Sequence, residues 1–325
     1  MPFDHSKHDE RTLSAVFIHG FWRGGGTYLW HKFRAQPEMH AFYEPFNEAV
    51  GSNSGAEMLT RTTTSWPSKH PALAAPYLAE YAPLLSAGQL RHYRKDFAVA
   101  TYFPEADALP DEQRSHVAAL LAWARRGGRR PLLGFCRSLG RLPRLREAFA
   151  GAHIVPLRNP AHQWMSCFTQ CREHGNDYFL VMHAMLAGQN RHHPLLKAVA
   201  ERYDIPSIAC RTFDQEIEAY RALLARLPLE ASYRIFLAAY LAAYLEGLPA
   251  SDLIIDMDLL GLPTYRSRVE ARLRALTACA VALDDAAMPS YALRPLGIDI
   301  ARCHEKALAE LVSYCASRPQ TLSSG

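Results

Sequence analysis

The sequence predicts an α/β fold around a mainly parallel sheet, and three observations carry that prediction. Short apolar runs rich in Val, Ile, Leu and Phe alternate with segments of helical spacing. Turns marked by glycine or proline follow several of those runs. Between residues 130 and 172 a strand, a helix, a second strand and a second helix succeed one another, the pattern of a βαβ unit. The chain has 325 residues, 49% of them hydrophobic and 21% charged. That is enough to bury a core without metals or disulfides.

The elements read in order as follows. "LSAVFI" is the first strand, followed by a glycine turn and a helix from about Thr27 to Gln36. "MHAFYEPF" is a short apolar segment closed by Pro45, and residues 71–87 have helical composition broken by Pro76 and Pro83. "DFAVATYF" (96–103) alternates and is expected to be a strand. The next segment opens on Asp111 and Glu112, closes on arginines and stops at Gly127, which are helix boundary signals. "RPLLGFC" and "AHIVPL" are the strands of the βαβ unit, with a short helix between them and a second helix from Pro160 to about Arg172. Two long helical patterns (211–227 and 231–248), a late strand in "SDLIIDMDLL" and a helix from Tyr265 complete the reading. There is no internal repeat. A single domain over residues 1–325, a three-layer α/β core with a helical elaboration, is the expected organisation.

Composition narrows the function. A net charge of +4 is too small to mark a nucleic-acid binder, although eight arginines fall between Arg125 and Arg146. Seven irregularly spaced cysteines predict reduced thiols and a cytoplasmic protein. Cys167 and Cys171 share a helix face without a second ligand pair, so no metal is expected. The richest apolar stretch, "IFLAAYLAAYLEGL", is too short and too polar for a transmembrane segment.

Chemistry concentrates after the strands. "GFWRGGGT" (20–27) has the glycines and threonine of a phosphate-binding loop, but Gly26 stands where a P-loop carries lysine. Its backbone amides and the positive end of the following helix suit an anion. Arg137–Ser138 and Arg158 follow two other strands. Their guanidinium groups can reach the same sheet edge and bind phosphate oxygens. Three such clusters describe a pocket for a ligand with more than one anionic group.

"RGGGT" at 23–27 and "AHIVPLRNPAHQWMS" at 152–166 resemble the two signature sites of the sulfotransferases. Those enzymes take a sulfuryl group from 3′-phosphoadenosine 5′-phosphosulfate (PAPS) and release adenosine 3′,5′-bisphosphate (PAP). The resemblance implies that Arg23, Gly24, Gly25, Gly26 and Thr27 hold the 5′-phosphosulfate and that Arg158 and Ser166 hold the 3′-phosphate. Tyr28 falls where many relatives place an aromatic that can stack on adenine. Gly24 and Gly26 replace the usual Ser and Thr of the first site. A sulfuryl donor has no terminal phosphates or magnesium to organise, which accounts for the missing lysine. Glu44, 21 residues after Arg23, stands where relatives place a catalytic glutamate, with Glu48 as the second candidate. Arg137 is expected to stabilise charge in the transition state.

The expected function is therefore sulfuryl transfer to an acceptor hydroxyl, with a carbohydrate or glycolipid favoured by "EPF" and by aromatic and polar residues in segments 46–95 and 168–200, including Trp66. Three other readings stand beside it. An α/β-hydrolase would use Ser138 in "CRSLG" as nucleophile with His304, but Cys136 replaces the glycine that such an elbow requires. A P-loop kinase lacks its lysine. A non-catalytic PAP-binding protein would keep the pocket and lose the transfer.

Overall fold

The computed structural model of the protein describes residues 14–52, 54–60, 75–85, 90, 92–286 and 297–317. Trp66 and part of the expected 71–87 helix lie outside them. In chain order the described elements are β1 (Ala15–His19), α1 (Gly26–Arg34), β2 (Met39–Tyr43), α2 (Glu48–Ser52), α3 (Gly55–Thr60), α4 (Asp111–Arg126), β3 (Arg130–Phe135), α5 (Leu142–Ala148) and β4 (Gly151–Leu157). There follow α6 (Pro160–His174), α7 (Tyr178–Gln189), α8 (Pro194–Arg202), α9 (Phe213–Leu224), α10 (Leu229–Gly247), β5 (Leu253–Asp256), α11 (Pro263–Thr277) and α12 (Ile300–Ser317).

The five strands form one parallel sheet in the order β2-β3-β1-β4-β5. Alternation along β1 assigns its two faces. Val16 and Ile18 join a core with Leu29, Trp30 and Phe33 of α1 and Val269 and Leu273 of α11. Ala15 and Phe17 join the opposite core, with Val117, Leu120 and Leu121 of α4 and Leu145 of α5. Both faces are thus covered by helices, which is how a parallel sheet buries near-continuous apolar strands. The predicted α/β class is the observed one.

The chain divides into two compact units: residues 1–163 with 244–291, and residues 164–243 with 292–325. The first contains the whole sheet. The second is helical in its described part. Within it, Arg221 pairs with Asp177 at 2.6 Å, and Arg234 and Arg202 share Glu310. A capping box of Thr212 and Gln215 starts α9.

Two local expectations are corrected. Residues 96–103 are no strand: Lys95–Phe97 make a 3-10 turn and the chain continues in turns. Phe97, Ala98, Val99, Tyr102 and Phe103 are buried and Ala100 is exposed, so burial does not follow the apparent alternation. The buried Arg141 guanidinium donates to the carbonyl oxygens of Phe97 at 2.7 Å and Thr101 at 2.8 Å, bonds that a sheet neighbour would otherwise make. Within residues 71–87 the described part forms a 3-10 turn, Ala79–Leu84, with Pro83 inside it. "MHAFY", read only as an apolar segment, is the edge strand β2 and pairs with β3 from Met39 to Tyr43.

Candidate functional site

A parallel sheet opens a crevice where successive connections leave in opposite directions. Here the chain leaves β1 toward β2 and β3, and leaves β4 toward β5. The loops after β1 and β4 therefore meet at the switch point. They carry Arg23–Thr27 and Arg158, the residues singled out from the sequence. Arg158 Nη1 donates to the Arg23 carbonyl oxygen at 3.2 Å, so the two loops are joined directly.

The first loop is shaped by two left-handed residues. Arg23 has φ 63° and Gly25 has φ 94°, the latter at the N-cap of α1. A side chain at Gly25 would be strained by that dihedral and would meet Met257 Cε at 2.8 Å, so only glycine fits. No side chain caps α1. Its first-turn amides are the orphan donors that every helix presents, and here they face the crevice end of β1. Thr27 Oγ1 is hydrogen-bonded to the Tyr43 hydroxyl at 2.8 Å. Tyr28 donates to Asp285 Oδ1 at 2.6 Å, and Lys32 holds the other oxygen at 2.8 Å. Burial and Asp285 push the Tyr28 phenol well above its usual range.

At the ends of β2 and β3, Glu44, Glu48 and Arg137 converge. Arg137 Nη1 lies 3.0 Å from Glu44 Oε2, and Nη2 lies 2.9 Å from Glu48 Oε2. The arginine and Glu44 are both buried, and the guanidinium sits 5.5 Å from the Trp22 ring centroid. Two carboxylates on one cation leave this cluster with formal charge −1. Glu44 also adopts φ 52°, a conformation that costs a side-chain-bearing residue on the order of 1–3 kcal/mol and collects at functional positions. Arg23 and Glu44 are two of the five described non-glycine residues with positive φ. Burial pushes the Glu44 carboxyl above its usual range, and Arg137 opposes that shift. The partners of Arg137 thus include two carboxylates, which the sequence did not reveal.

Arg158, 14% exposed in its side chain, faces Asp258 at 3.5 Å. Asp258 also accepts from the Asn159 amide at 2.6 Å and lies 3.3 Å from His162 Nδ1. Asn159 Oδ1 in turn accepts the amide of Ala161 at 2.9 Å and starts α6. Ser166 lies in the stretch of α6 assigned to the second unit and is buried.

Sequence reasoning missed a buried polar chain beside this crevice. Ser138 Oγ lies 2.8 Å from His19 Nδ1, His19 Nε2 lies 3.0 Å from His153 Nδ1, and His153 Nε2 lies 3.3 Å from the Phe149 carbonyl oxygen. The carbonyl can only accept, so His153 carries its proton on Nε2. His19 then donates through Nε2, and Ser138 donates to His19 Nδ1. All three residues are buried, and the chain ends on a carbonyl rather than a carboxylate. His304, the partner that a hydrolase reading would need, lies in the helical unit with Nε2 2.6 Å from the Tyr233 hydroxyl.

These histidines make stability pH-dependent. Burial lowers the His19 pKa, and His153 lowers it further; burial also takes His153 to about 4 and His183 to about 3. The unfolded chain, with histidine near 6.5, takes up protons first, so stability is full above about 6.5 and falls as the pH drops. His153 alone is expected to account for about 3 kcal/mol lost by pH 4. Urea midpoints at pH 7 and pH 4.5 check this, and His153→Asn should flatten the decline.

Among the described residues no group of His, Cys, Asp and Glu is placed to hold a metal ion, and no helix is long and apolar enough to cross a membrane. No family model, curated protein or solved structure matches the chain. Fold and site define an α/β protein whose switch-point crevice is lined by arginines and uncapped amides.

Proposed function

We propose that the protein is a PAPS-dependent sulfotransferase acting on an acceptor hydroxyl of a carbohydrate or glycolipid. The junction of Arg158 with the Arg23 loop carries this reading. It brings two cationic, amide-bearing loops together at one crevice, as a ligand with separate 5′ and 3′ anionic groups requires. The residues fit the donor at the 5′ end, where α1 offers uncapped amides and Arg23.

In this reading the acceptor oxygen forms a bond to sulfur as the bond from sulfur to the 5′-phosphate oxygen breaks. The acceptor proton passes to Glu44. Arg23 and the amides of Gly24, Gly25, Gly26 and Thr27 take up charge on the departing phosphate. Arg158 holds the 3′-phosphate. Arg137 orients Glu44 through the bond to Oε2, so its role is to position the base. Residues 180–188, within the segment expected to wall the acceptor, are all buried in α7. A cytoplasmic location belongs to the same proposal and is supported by seven cysteines, none of them in a disulfide.

Thermal melting tests the donor site. PAP at about 100 times its dissociation constant should add about 2.7 kcal/mol and raise Tm by about 5 °C. Adenosine 5′-monophosphate at the same concentration should raise it much less. Equal shifts would remove Arg158 from the 3′-phosphate, and no shift with PAP would overturn the nucleotide reading.

A further inference from the structure

The turn after β5 sets one side chain against each of the two loops of the crevice. Asp258 receives the Asn159 amide at 2.6 Å and lies 3.3 Å from His162 Nδ1 and 3.5 Å from Arg158 Nε. A carboxylate with these three neighbours sits where Arg158 and the start of α6 would receive a phosphate. One residue earlier, Met257 lies over the glycine loop, close enough that a Cβ on Gly25 would come within 2.8 Å of Cε. The backbone of the turn is fixed to the sheet, since Met257 N donates to Leu157 O at 2.8 Å. The Asp258 amide is held by Asp256 Oδ1 at 3.0 Å. Clearing the crevice therefore needs rotation of two side chains and no movement of the strand.

We infer that Asp258 is a built-in occupant of the Arg158 anion site, which a phosphate-bearing ligand must displace, and that it thereby sets the affinity for the 3′-phosphate. This rests on the nucleotide reading above. One arginine cannot neutralise a phosphate dianion and a carboxylate together, so ligand and Asp258 compete for the same donors. Asp258 pairs with Arg158 and accepts the Asn159 amide just before α6 until a ligand replaces it. It lowers the affinity only of a ligand that brings a 3′-phosphate to Arg158, because a ligand without one leaves the carboxylate in place.

The test compares the full-length wild type with Asp258→Asn, which removes the charge and leaves an oxygen for the Asn159 amide. Asp258→Ser is the second variant, and thermal melts establish that each is folded. Titration calorimetry with PAP and with adenosine 5′-monophosphate reads the effect. PAP affinity should rise at least about tenfold in both variants, with the monophosphate affinity unchanged. Unchanged or weaker PAP binding in the variants would overturn the inference and make Asp258 a support for Arg158. A parallel gain for both nucleotides would overturn it too, because the effect would then not belong to the 3′ position. Failure of PAP to bind any of the three proteins overturns the nucleotide reading itself, and this inference with it.

Discussion

Glu44→Gln is expected to bind PAP like the wild type and to transfer the sulfuryl group more slowly by a factor on the order of 10²–10⁴. Glutamine keeps the size and the hydrogen bond to Arg137 but cannot take the acceptor proton. The pH profile should change with it. In the proposed mechanism Glu44 works as the carboxylate, so wild-type transfer is expected to fall as pH drops through a pKa that burial holds above the usual carboxylate range. That acid limb should be lost in the variant. PAP release from PAPS with carbohydrate acceptors, followed across pH, measures both effects. A variant with the wild-type rate would move the role of base to Glu48, the second carboxylate on Arg137.

Arg137→Met is expected to destabilise the fold by about 3–5 kcal/mol, because it leaves Glu44 buried and unpaired with Glu48 close by. Urea unfolding gives the value. The cause can be separated by a cycle. In a Glu44→Gln background the same substitution should cost clearly less, since one of the stranded charges is already gone. Additive losses would show that the stability comes from packing of Arg137 against Trp22 rather than from the charges. The two experiments bear on different claims, since the cycle concerns the ion pair and the rate concerns the chemistry.

Much of the crevice was legible because its signals are local. A glycine run after an apolar strand, Pro160 opening α6 and Asp111–Glu112 opening α4 all constrain the backbone within a few residues. These signals located four of the five strands and most of the helices. Residues 96–103 misled because their apolar residues are buried without a two-residue period, and because Arg141, 40 residues from Thr101, takes the carbonyls that a strand would use. The edge strand β2 passed unrecognised because five residues next to a proline carry little pattern of their own.

The partnerships inside the site were a different matter. The sequence by itself determined the α/β class, the glycine loop with its entering arginine, and the presence of Glu44, Arg137 and Arg158 near strand ends. Only the tertiary structure decided that Arg137 bridges Glu44 and Glu48, that Asp258 sits on Arg158, and that Ser138, His19 and His153 form one buried chain. The reason is distance along the chain. These pairs are separated by 89 to 134 residues, and no local propensity encodes which strand end will face which. The order β2-β3-β1-β4-β5 does so, by placing the loops after β1 and β4 side by side and the ends of β2 and β3 next to each other.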